Sequence, residues 1–134
     1  MNSIENAVVT AVYDALQPKY PGIAVYGDVI AKEPMFPCVT VVESGNSRST
    51  DTIDSSAIEK FSDVMYQVDV YSNLDHGRKA ECKSILSIID DKLTGFGFVR
   101  TMIAQTPNLD GNNIYRFTAR YTARVDQYDT IYRR

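Results

Sequence analysis

Cysteine and histidine are nearly missing from this chain: its 134 residues hold two cysteines, Cys38 and Cys82, and one histidine, His76. Two cysteines build no disulfide framework, and their separation fits no zinc motif, so both read as buried, reduced, structural thiols. A lone histidine allows one centre at most for a metal site or a histidine-dependent triad, and no Cys or Ser motif accompanies it. His76 reads instead as a solvated residue in the first turn of a helix. Long apolar runs are absent too. The longest, such as Val39 to Val42, fall far short of the roughly 20 residues that cross a bilayer, so no membrane partner is expected. The opening Met1-Asn2-Ser3-Ile4-Glu5 lacks the basic stretch and apolar block of a secretory signal, which predicts folding in a cytoplasm. Positive charge is not in excess: 14 basic residues face 17 acidic ones, a net charge of −3. That balance argues against a general nucleic-acid binder and leaves only a local basic patch open. No glycine-rich phosphate loop, nucleophile elbow or paired metal-ligand spacing occurs, and Gly95-Phe96-Gly97 lacks the third glycine and following helix of a dinucleotide fingerprint. Asp90-Asp91 and Asp75-His76 are neighbours in sequence, which on a helix point apart and do not converge on a substrate. The expectation is a protein that is not an enzyme and carries no cofactor and no metal.

What is present suits one ordinary packed domain spanning 1–134. Hydrophobic residues make up 44% and charged residues 23%, close to the average for globular chains. A chain of this length can remove about two-thirds of its unfolded surface from water, enough to stand without staples. Ile4, Ala7, Val8, Ala11, Val12, Ala15 and Leu16 recur at three- and four-residue steps and predict a helix over Ser3 to Gln17. Asn2 is its expected cap with Glu5 three residues on, and Pro18 and Pro21 stop it. Ile23 to Ala31 reads as a hairpin turning at Gly27-Asp28, with a single bent strand as the alternative. Cys38-Val39-Thr40-Val41-Val42 predicts a strand buried on both faces.

Ser44 to Lys60 is rich in Ser, Asp and Asn and predicts a long loop, of a length that compact domains seldom carry without a binding role. Val64, Tyr66, Val68 and Val70 then alternate with Asp63, Met65, Gln67, Asp69 and Tyr71, the two-residue period of a strand with one buried face. A second helix is predicted over Leu74 to Leu93, capped by Ser72 or Asn73, striped by Cys82, Ile85, Leu86, Ile89 and Leu93, and ended by a left-handed Gly95. Phe98 to Gln105 predicts a strand, Asp110-Gly111-Asn112-Asn113 a turn, and Tyr115 to Val125 the last strand. The order implies an α+β fold: an antiparallel or mixed sheet of about four to five strands, with two α-helices packed on one face. Residues 127–134 form a short C-terminal tail.

Arg116, Arg120 and Arg124 are the sharpest chemical feature. Residues four apart on a strand share a face at intervals of about 13 Å, so the three form a row that could grip phosphates or a carboxylate-lined partner. The competing reading sets Asp63 and Asp69 across from the row as surface pairs worth under about 1 kcal/mol each, leaving one arginine unmatched. Ser47, Arg48, Asp51 and Asp54 in the loop and Tyr128, Tyr132 and Arg133 in the tail are further candidate contacts, aromatic and arginine anchors being favoured at interfaces.

The whole order resembles the tail terminator, or tail-to-head joining (tail completion), proteins of long-tailed noncontractile phages, the siphophages. The likeness rests on Ile4-Glu5-Asn6-Ala7-Val8 opening a helix and on Tyr66-Gln67-Val68-Asp69-Val70-Tyr71 followed by a second helix. Gly95-Phe96-Gly97-Phe98 and the closing strand Tyr115-Arg116-Phe117-Thr118-Ala119-Arg120-Tyr121 complete it. The resemblance implies a non-enzymatic virion structural protein that caps the tail tube, stops its elongation and joins the tail to the head connector. It implies a subunit that is monomeric in solution and assembles as a hexameric ring. Its partners would be copies of itself, the major tail tube protein and a head completion (stopper) protein. DNA would pass through the ring without specific binding. The protein would be made in the bacterial host cytoplasm and reside at the head-tail junction of the virion. The alternatives are another phage neck component, such as a head-completion or adaptor protein, and a small DNA-binding regulator.

Overall fold

The heptad-like apolar stripe near the start becomes helix α1, Glu5–Leu16, which buries Val8, Ala11, Val12 and Leu16. In this computed structural model, which describes residues 4–27, 36–48, 61–73, 76–106, 115–126 and 131–132, the helix begins two residues later than predicted. Ile4 occupies the cap position, with no side-chain cap hydrogen bond; Asn2 lies outside the described residues. The helix stops before Pro18, where Tyr20 N–H reaches back to Leu16 O at 2.8 Å and Gly22 N–H is taken up by Gln17 Oε1 at 3.0 Å.

The remaining elements are β1 (Ala24–Tyr26), β2 (Cys38–Arg48), β3 (Phe61–Ser72), α2 (Arg78–Phe96), β4 (Val99–Thr106), β5 (Tyr115–Asp126) and β6 (Ile131–Tyr132). The strands form one sheet in the order β1-β2-β3-β5-β4, with β6 paired to β5 off that path. β1 runs parallel to β2 and every other pairing is antiparallel, so the sheet is mixed and the fold is α+β. Strands β3 and β5 lie at the centre, in unbroken register from Phe61 opposite Asp126 to Ser72 opposite Tyr115.

Period-two alternation on these two strands sends Val64, Tyr66, Val68 and Val70, with Phe117, Ala119, Tyr121, Ala123 and Val125, to one face, all buried. Both helices cover that face, α1 over β1 and β2, and α2 over β3, β5 and β4, and the two helices also touch each other. The predicted apolar stripe of α2 is the buried one: Cys82, Ile85, Leu86, Ile89 and Leu93.

Several predicted boundaries move. Neither Ser72 nor Asn73 caps α2; Gly77 does, with φ 84°. Ser72 ends β3, and its Oγ hydrogen-bonds Glu81 Oε1 at 2.6 Å, which ties the strand end to the first turn of α2. The left-handed terminator is Gly97, φ 107°, and not Gly95, which is helical. Gly97 N–H bonds Thr94 O and Phe98 N–H bonds Leu93 O, both at 3.0 Å, a Schellman closure that delivers buried Phe98 edge-on to Tyr66, 5.7 Å between ring centroids. β1 pairs in parallel with β2, a non-local contact that turn chemistry does not announce; the second arm of the hairpin predicted at Gly27-Asp28 falls in 28–35, outside the described residues. The loop predicted from Ser44 starts later, because β2 continues to Arg48 through a register shift at Glu43/Gly45; residues 49–60 lie outside the described residues. The 127–134 tail contains β6, with Ile131 opposite Val125 and Tyr132 opposite Arg124. The turn at Asp110-Gly111-Asn112-Asn113 lies outside the described residues, and the strands on either side of it pair antiparallel as predicted.

The two largest fully buried side chains are tyrosines, and each hydroxyl donates to a carboxylate: Tyr66 to Glu43 Oε1 at 3.0 Å, Tyr121 to Asp90 Oδ1 at 2.8 Å. Burial first, and the neighbouring carboxylate second, push both phenols well above their ordinary value of 10. A folded-state value above the unfolded one gives stability that is complete below about pH 10 and drains away as pH rises further. Thermal midpoints followed by circular dichroism should therefore fall steeply above about pH 10, and Tyr121→Phe should flatten that decline. A midpoint that is level up to about pH 11 in the parent protein would contradict this.

Candidate interaction surface

Among the described residues, no helix covers the opposite face of the sheet. Alternation places Asp63, Gln67, Asp69 and Tyr71 of β3 and Arg116, Thr118, Arg120 and Arg124 of β5 on it, and the register fixes who meets whom. Arg124 stands opposite Asp63, Arg120 opposite Gln67, Thr118 opposite Asp69 and Arg116 opposite Tyr71.

The carboxylates expected across from the arginine row are there. Arg124 Nε bonds Asp63 Oδ1 at 3.2 Å, each side chain 23% exposed, a pair worth under about 1 kcal/mol. Arg116 reaches diagonally to Asp69, Nε to Oδ1 at 3.1 Å, with its guanidinium carbon 5.5 Å from the Tyr71 ring centre. Arg120 has no acid: its Nε donates to Gln67 Oε1 at 3.3 Å, and among the described residues it makes no ion pair. Asp63 and Asp69 pair with Arg124 and Arg116 and leave Arg120 without an ion pair among the described residues, while a third carboxylate, Asp126, lies on the same face at the end of β5.

Asp69 is the unusual member, because its side chain is only 7% exposed although it sits on the uncovered face. Its burial is tolerated because three donors converge on it: Arg116 Nε, Thr118 Oγ1 and, at Oδ2, Gln67 Nε2 at 3.1 Å. The hydrogen bond to Asp69 raises Arg116 further above its ordinary value, so the guanidinium is always charged. Tyr71 is raised by burial and then by the Asp69 charge, and its hydroxyl hydrogen-bonds the Thr40 side chain. Thr40, Val42, Ser44, Gln67, Asp69, Tyr71 and Arg116 line a cavity of about 290 Å³. Sequence reasoning placed the arginines and acids but missed this hollow and the burial of Asp69 and Thr118. The one available signal was the Cys38–Val42 run, predicted to be buried on both faces; Cys38, Val39, Thr40 and Val41 are indeed buried.

Of the other predicted contact residues, Ser47 and Arg48 lie in β2, their backbones opposite Asp63 and Ser62, and Tyr132 lies in β6. Asp51, Asp54, Tyr128 and Arg133 fall outside the described residues. His76 is exposed just ahead of α2 rather than in its first turn. Cys38 and Cys82 are buried and unlinked, and burial pushes their thiols up to about 11 and about 12, where they stay protonated and unreactive. Asp90 is engaged by Tyr121 and by Arg100, Nη1 to Oδ1 at 3.2 Å. Among the described residues no group of three or more His, Cys, Asp or Glu could hold a metal ion, and no helix is long and apolar enough to cross a membrane.

No protein-family model matches the chain, and no curated protein does. Among solved structures, a chain from the virion of a native gene transfer agent particle aligns over 94% of this chain and 99% of its own, with a TM-score of 0.55 and 15% identity. The bacteriophage SPP1 gp17 protein aligns over 88% of this chain and 89% of its own, with a TM-score of 0.42 and 19% identity. The first likeness is one of fold, end to end; the second is too loose to argue from.

Proposed function

We propose that this chain is a non-enzymatic structural protein of a phage-like virion, acting at the tail-neck junction as a tail terminator. In this reading it assembles as a hexameric ring, stops elongation of the tail tube and joins it to the head connector. The observation that carries the reading is a fold shared over nearly the full length of both chains with a virion component. The order of motifs from Ile4-Glu5-Asn6 to Tyr115-Arg116-Phe117 supports the same assignment. A sheet face that among the described residues carries no helix, and on which Arg120 makes no ion pair with them, is a surface that a neighbouring subunit can cover.

Its partners are then copies of itself, a major tail tube protein and a head completion protein, with DNA passing through the ring and gripped by none of it. The arginine row belongs on protein, because a lumen that bound phosphates tightly would slow the passage of DNA. Ser47, Arg48, Asp51, Asp54, Tyr128, Tyr132 and Arg133 are proposed contacts of the same assembly, the segment 49–60 meeting a neighbouring subunit or ring.

The test adds purified protein to tails that lack a terminator and images them by electron microscopy. Sixfold rings should cap the tail end away from the host-recognition tip and restore joining to heads. Rings that instead bind only the head vertex would favour the rival reading, a head-completion or adaptor subunit, which the virion likeness supports equally. A variant lacking residues 50–56, which spares β2, should fold and yet fail to join heads to tails; normal virion yield would remove that segment from the contact set.

A further inference from the structure

We infer that the hollow on the uncovered sheet face is a carboxylate receptor, built to take a single Glu or Asp side chain from a neighbouring protein. The inference rests on the reading of this face as an interface and names what it recognises.

Asp69 is a fixed internal counter-ion. With Arg116, Thr118 and Gln67 all donating to it, both of its oxygens are engaged and it is nearly closed to solvent. Its effect is to hold Arg116 by Nε alone, so the Nη1 and Nη2 edge makes no hydrogen bond among the described residues. Arg116 is one-third exposed and lines the hollow, with the Tyr71 ring stacked near its guanidinium. That free edge is the half of the fork that matches a carboxylate's two oxygens.

Gln67 couples the second arginine into the same unit. Its Oε1 accepts from Arg120 Nε and its Nε2 donates to Asp69 Oδ2, which gives a continuous chain Arg120–Gln67–Asp69–Arg116. Two guanidinium groups share one carboxylate, so the unit carries one uncompensated positive charge and calls for one negative partner. A nucleic-acid backbone fits poorly, because a single surplus charge falls short of the several phosphate contacts that such binding uses. Val42 and the Tyr71 ring supply apolar wall for the methylenes of a glutamate, and about 290 Å³ admits such a side chain.

The experiment titrates sodium glutarate, a dicarboxylate each end of which presents the carboxylate and methylenes of a glutamate side chain, into the full chain while following the Arg Nε–Hε and Gln side-chain signals by ¹⁵N NMR. Sodium chloride at matched ionic strength, sodium phosphate and a short DNA duplex serve as comparison probes. Glutarate should shift the Arg116 and Gln67 signals along a saturating curve. Arg116→Lys, which keeps the charge and loses the fork, and Arg120→Gln, at an exposed position, should each weaken the response at least fivefold without altering the circular dichroism spectrum. Equal shifts from chloride, tighter binding of phosphate or DNA, or variants that titrate like the parent would each overturn the receptor. Glutarate binding in a protein that fails to cap tails would sink the terminator reading and leave the receptor standing.

Discussion

Asp69→Ala is expected to destabilise the protein by about 3 kcal/mol, the largest single effect anticipated for any residue on the uncovered sheet face. Truncation leaves Arg116 without its counter-ion, removes an acceptor of the hydroxyl of Thr118, a residue only 4% exposed, and removes the acceptor of the Gln67 amide. The cost stays at the low end of the range for broken buried pairs because Arg116 is one-third exposed and water can partly resolvate it. Asp69→Asn should cost less, about 1 to 2 kcal/mol. It keeps one carbonyl oxygen for Arg116 and Thr118 but sets an amide donor against the Gln67 donor. Replacing the three groups together, Asp69→Val with Thr118→Val and Arg116→Met, should recover most of the loss, since apolar groups of similar volume often substitute for a buried ion pair without penalty. Urea unfolding at neutral pH measures all three. A single alanine variant as stable as the parent would mean that the network contributes nothing. A triple variant that stays stable would place the value of the charges in recognition rather than folding.

The parts legible in the sequence are those governed by periodicity. Val8, Val12 and Leu16 marked α1, and Cys82, Ile85, Ile89 and Leu93 marked α2, because the 3.6-residue stripe is set by burial against a single surface. Period-two alternation put Val64 to Val70 inward, and it placed Asp63, Asp69 and the three arginines outward on a shared face before any register was known. Capping was read less well, since Gly95 and Gly97 both lie where a helix can end, and only the packing of Phe98 against Tyr66 chooses between them. Sheet order was not readable: β1 joins β2 in parallel, across a connection whose local residues say nothing about its destination. The receptor-like hollow was hidden for a different reason. Asp69 and Thr118, each on the polar side of an alternating strand, signal a solvated surface, and their burial arises only when the register sets them side by side next to Thr40 of the buried β2 run.

The same register separates the three arginines by consequence. Glutamine at all three positions would disturb the Asp69 network and confuse a folding defect with an assembly defect, whereas Arg120 can be altered cleanly. It is exposed and holds one neutral hydrogen bond, so Arg120→Glu should change stability by no more than about 0.5 kcal/mol. If an acidic partner side chain meets this face, the new carboxylate confronts it directly. Capping of terminator-less tails should then fall at least tenfold, about 1.4 kcal/mol of binding, since juxtaposed like charges at an interface cost that much or more. Arg124→Gln should behave in the reverse sense, losing under about 1 kcal/mol of stability with its Asp63 pair and leaving capping near the parental level. Counting capped tails against protein concentration, alongside melting curves for both variants, decides the matter. Loss of capping with Arg124→Gln and none with Arg120→Glu would move the contact to the far end of β5, beside β6, and away from the hollow.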